Sequence, residues 1–79
     1  MKHKVTLDAI VANLKEKVFQ FEETHEYEID RENERVLIRT TLYPAGYFGH
    51  VEWIGEVATY LDLTLTARVE NNEVVLVIY

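Results

Sequence analysis

Apolar residues recur along the start of this chain at the period of a helix. Leu7, Ile10, Val11, Leu14, Val18 and Phe21 form one stripe, with Asn13, Lys15, Glu16, Lys17 and Gln20 mostly opposite. Thr6 is placed to cap it, because its hydroxyl can accept an orphan helical N–H, and Asp8 suits the positive end of the dipole. The stripe fades at Glu22–Glu23–Thr24, which predicts a first helix over about residues 7–22.

The period then falls to two. Tyr27 and Ile29 alternate with Glu26, Glu28 and Asp30; beyond a turn near Arg31–Glu34, Val36, Ile38, Thr40 and Leu42 alternate with Arg35, Leu37, Arg39 and Thr41. This is the signature of a hairpin with one face on a core. Its outer face sets Glu26, Glu28 and Asp30 across from Arg35 and Arg39, pairs worth about 0.2–1 kcal/mol each. Tyr43-Pro44-Ala45-Gly46-Tyr47-Phe48-Gly49-His50 interrupts both periods and reads as a loop.

A second helical stripe follows in Ile54, Val57, Ala58 and Leu61, with Trp53 and Tyr60 at its margins, predicting a helix over about 51–61. Leu63, Leu65, Ala67 and Val69 then alternate with Thr64, Thr66, Arg68 and Glu70 as the start of a second hairpin. Asn71–Asn72 supply its turn, since asparagine tolerates the positive φ of a tight hairpin. The closing strand from Glu73 is apolar on both faces: Val74, Leu76 and Ile78 on one, Val75, Val77 and Tyr79 on the other. Glu32-Asn33-Glu34-Arg35-Val36-Leu37-Ile38 echoes Glu70-Asn71-Asn72-Glu73-Val74-Val75-Leu76 at an offset of 38 residues. The expected architecture is a single α+β domain, αββαββ, in two αββ units at about 5–43 and 50–79. Two helices would pack on one face of a four-stranded, mostly antiparallel sheet.

A chain of 79 residues holds one domain and has room for only a modest core. Cysteine is absent, which removes disulfides, thiolate metal sites and a cysteine nucleophile, and favours a reducing, cytoplasmic location. No signal-peptide pattern follows Lys2-His3-Lys4, and the longest apolar run, Val74–Tyr79, falls far short of the roughly 20 residues that span a bilayer. Net charge is −6, so a phosphate backbone is repelled and nucleic acid is not an expected partner. Seven of the fourteen acids, Glu22, Glu23, Glu26, Glu28, Asp30, Glu32 and Glu34, crowd into thirteen residues beside a single cation, Arg31. They read either as a solvated surface or as an acidic patch for a basic protein, for instance in a phage or mobile-element inhibitor of a nucleic-acid-binding machine.

Catalytic chemistry is sparsely provided for. His3, His25 and His50 are the only histidines, and neither H-E-x-x-H, G-x-S-x-G nor a phosphate-cradling glycine loop occurs. No cofactor or metal is expected. The order helix–strand–strand–helix, with a histidine before the first strand, resembles the pterin carbinolamine dehydratases over about half the chain. That family carries His-His-Pro after its long helix, where this chain has Thr24-His25-Glu26-Tyr27, so its site does not carry over. The expected function is protein binding by a non-enzymatic accessory protein, as a homodimer. If both helices cover one sheet face, the other would expose Val75, Val77 and Tyr79, with Leu37 and Tyr43 alongside, as the dimer interface, unless the aromatic loop at 43–50 folds back over it. Tyr47, Phe48, His50 and Trp53 form a second candidate contact, for a partner or, in the alternative of a small enzyme or ligand-binding domain, for a pocket at the 43–50 loop.

Overall fold

The computed structural model describes residues 5–41, 48–71 and 73–79. Helix α1 (Leu7–Lys17) starts where Thr6 Oγ1 accepts the N–H of Ala9 at 3.1 Å. It ends earlier than the apolar stripe does. Val18 is extended although its N–H still reaches the carbonyl of Leu14, and Gln20 adopts a left-handed conformation (φ 53°). A one-turn helix, α2 (Phe21–Thr24), then resumes. The β-branched Val18 and aromatic Phe19 are weak helix formers, and the kink still buries Val18 and Phe21 while turning Phe19 outward at 65% exposure.

Strands β1 (Glu26–Asp30) and β2 (Arg35–Thr41) follow, then α3 (Phe48–Tyr60), β3 (Leu65–Glu70) and β4 (Glu73–Ile78). Helix α3 begins three residues before the expected start, in the segment read as loop from its glycines. Its last turn passes to β3 through Asp62, which has φ 59°. The sheet order is β1-β2-β4-β3 with every neighbouring pair antiparallel, so the doubly apolar β4 lies inside the sheet. The fold is α+β, as the periodicities imply.

Ile38 pairs with Leu76, its counterpart under the 38-residue offset. The two αββ units therefore meet through equivalent strands about a local two-fold. The helix-side face of the sheet carries Val36, Ile38, Leu76 and Ile78, which pack with Ile10, Leu14, Phe21, Ile54 and Val57 in the main core. Tyr27 and Ile29 extend this face onto β1, and Leu65 onto β3. An ideal Cβ on Gly55 would lie 3.5 Å from Leu65 Cδ2, which shows how closely α3 crosses that end of β3.

The other end of β3 departs from expectation. Ala67 is exposed and Val69 is 67% exposed, although alternation places both on the core side. The helix layer covers Leu65 but stops short of them. Alternation determines which face a side chain occupies, whereas cover depends on how far the opposite layer reaches.

Ile38 is fully buried between sheet and helices and Val69 is mostly in water, so shortening each should separate the two environments. Ile38→Ala should cost about 2–5 kcal/mol, a large part of the roughly 4–12 kcal/mol expected for a chain of this length. Val69→Ala should stay within about 0.5 kcal/mol of wild type. Urea unfolding midpoints at constant m measure both.

Candidate functional site

The face of the sheet away from the helices carries three rows of polar side chains around a small apolar centre. Leu37, Val75 and Val77 form that centre and are 4%, 0% and 5% exposed. The expectation that this face lays Val75, Val77 and Leu37 open is therefore corrected: only Tyr79, at 46%, is exposed. Tyr43 lies outside the described residues.

Arginines flank this centre. In register, Val75 stands between Arg39 on β2 and Arg68 on β3. Arg39 Nη2 lies 3.7 Å from Glu28 Oε1 on β1, and its Nη1 lies 3.9 Å from Glu70 Oε1 on β3. One guanidinium thus stands between a carboxylate reaching in from β1 and another from β3, beside the row that holds Val75 and still partly in water. Arg68 Nε closes the chain of charges at 2.6 Å from Glu70 Oε2.

The acidic stretch is partly neutralised in the same way. Glu28 faces Arg39, Glu22 faces Lys15 at 3.5 Å, and Asp30 faces Arg35 at 2.8 Å. Glu23, Glu26, Glu32 and Glu34 are exposed. Glu32 and Glu34 belong to the β1–β2 turn, where Glu34 takes φ 53°. Asp30 organises that turn: Oδ1 accepts the N–H of Asn33, and Oδ2 accepts Asn33 Nδ2 at 2.9 Å and Arg35 Nε at 2.8 Å. The Asn33 side-chain amide, followed by the Arg35 guanidinium, holds the Asp30 carboxyl below the usual range.

On the opposite side of the molecule, a groove of about 340 Å³ opens where α1 meets α3, lined by Lys17, Trp53, Glu56, Val57 and Tyr60. The α3 residues fall at helical spacing, so one outward stripe presents indole, carboxylate and phenol together. Trp53 is 41% exposed and Tyr60 72%. Lys17 Nζ sits 5.0 Å from the centre of the Tyr60 ring, within cation–π range. Of the aromatic loop residues singled out in the sequence, Trp53 alone is thus placed in a described surface. Tyr47 and the side chains of Phe48 and His50 lie outside the described residues.

Lys17 and Tyr60 escape a reading by motif, because they belong to different helices that the fold brings together. Their only sequence signal is the off-stripe position of large aromatics, which Phe19 shares. His25 is buried with its ring 5.5 Å from that of Phe21, at the junction of α2 and β1. His3 lies outside the described residues. Among the described residues no three of His, Cys, Asp and Glu gather as metal ligands, and no helix is long and apolar enough to cross a membrane. Comparison with protein-family models, with curated proteins and with solved structures finds no match to this chain.

The Asp30 arrangement sets a pH dependence. Its carboxyl is more acidic folded than unfolded, so its contribution is present above the ordinary aspartate pKa near 3.9 and is lost as pH falls through the folded value. Melting curves between pH 7 and pH 2 should show wild type more stable than Asp30→Asn above about pH 4, with the gap closing below it. A gap that stays constant to pH 2 would show that Asp30 does not act through its charge.

Proposed function

We propose that this chain is a non-enzymatic accessory protein that works by binding protein partners, as a homodimer, in a reducing compartment. The observation that carries the reading is the groove between α1 and α3. Tryptophan and tyrosine concentrate binding energy at interfaces, because each covers a large area at small entropic cost and offers one polar atom. Here they stand exposed side by side on one helix, rimmed by Lys17 and Glu56. A partner segment with apolar anchors and a charge at each end would complement that rim.

Cysteine-free composition supports the compartment. The neutralised carboxylates Glu22, Glu28 and Asp30 leave a weaker field for a basic partner than the sequence alone suggests. The helical groove is for that reason preferred to the acidic stretch as the contact.

Selection of peptides from a random display library on immobilised protein tests the groove. Enriched peptides should bind wild type and lose at least ten-fold in affinity to Trp53→Ala/Tyr60→Ala. Both side chains are exposed, so that double variant should melt close to wild type. Failure to enrich any peptide, or equal binding to the folded double variant, would overturn the assignment.

A further inference from the structure

Among the described residues the sheet ends at β1 on one side and β3 on the other, and these edges differ in kind. On β1 the side chains facing away from the helices are Glu26, Glu28 and Asp30. A second copy laid against that edge would bring carboxylate against carboxylate, a common device for keeping sheet edges apart. On β3 the same face carries Thr66, Arg68 and Glu70, and the helix face carries Leu65, Ala67 and Val69. Neither proline nor a bulge interrupts its ladder with β4.

We infer that β3 is the homodimer contact, pairing antiparallel with β3 of a second copy about a two-fold at Ala67. The inference rests on the homodimeric part of the reading above and locates it. Backbone direction comes first. Thr64 N–H donates to the carbonyl of Tyr79 at 2.7 Å, and Tyr79 N–H donates to the carbonyl of Thr64 at 3.0 Å, so Thr64 turns its peptide groups toward β4. Alternation then turns Thr66, Arg68 and Glu70 inward and aims the N–H and C=O of Leu65, Ala67 and Val69 out of the sheet.

Overlap and charge then select the register: centring the two-fold on Val69 pairs Arg68 with Glu70 but overlaps only residues 68–70 of β3. Centring the two-fold on Arg68 puts two guanidiniums opposite each other, and centring it on Thr66 puts Glu70 against Asp62. Centring it on Ala67 sets Ala67 against Ala67, Leu65 against Val69, and Thr66 against Arg68. The helix-side row is then wholly apolar and no like charges meet. That register also supplies what β3 lacks. Leu65 lies under α3 beside Gly55, whereas Val69 is uncovered. Each Val69 would land beside Leu65 of the other copy, at the margin of that copy's α3.

The chain has no cysteine, so a single introduced thiol reports the register. Residues directly opposite stand about 5.5 Å apart at Cα, within disulfide reach, and diagonal neighbours about 7–8 Å, beyond it. Ala67→Cys should cross-link to a dimer under oxidised glutathione and Thr66→Cys should not. Sedimentation velocity between about 5 and about 500 μM, a range suited to a small interface, should show wild type passing from monomer to dimer. Val69→Lys, a change at an exposed side chain, should weaken association at least ten-fold without lowering the melting temperature. Ala67→Pro, which removes an outward N–H, should do the same; if it fails to fold, Val69→Lys decides. A wild type that stays monomeric throughout overturns both the homodimer and this contact. A dimer indifferent to Val69→Lys overturns the β3 contact and leaves the homodimer standing.

Discussion

One strand is buried on both faces and hydrogen-bonded along both edges, and the remainder of the domain is arranged around it. Val75, Leu76, Val77 and Ile78 of β4 are all 5% exposed or less. Side chains of this size contribute about 1.5–3 kcal/mol each when fully buried, a large total for so small a domain. That burial requires β2 and β3 as neighbours, helices above Leu76 and Ile78, and a different kind of cover over Val75 and Val77.

The two covers have different physics. On one side, α1 and α3 supply a dry layer of Ile10, Leu14, Ile54 and Val57. On the other, the Arg39 guanidinium stands between Glu28 and Glu70, and Arg68 also holds Glu70. Long cationic side chains can bury neighbouring apolar surface while their heads stay hydrated. Among the described residues, Trp53 and Tyr60 are exposed at the helix seam and Val69 at the β3 edge.

The pairing of Ile38 with Leu76 links the sequence echo to the architecture. Two helix–hairpin units of similar pattern bury their second strands against each other, and a local two-fold follows from matching equivalent positions. Each unit alone would leave one long apolar strand at an edge, a state prone to aggregation. Joined, they move both strands to the interior and leave the more polar β1 and β3 outside.

Periodicity alone determined the element types, the two hairpins and the core faces of β1, β2 and β4, because strand alternation and helical stripe are local consequences of burial. It also marked β4 as needing cover on both sides, and Trp53 as a candidate contact. Other features were decided only in three dimensions. They are the kink at Val18–Gln20 that still buries Phe21, the concealment of Val75 on the sheet face away from the helices, and the exposure of Val69 on the core side of β3. The groove belongs with them, since Lys17 and Tyr60 are distant in sequence and meet only when α1 packs on α3. Local pattern specifies which side of an element turns inward; the reach and registration of its neighbours determine whether anything lies there to meet it.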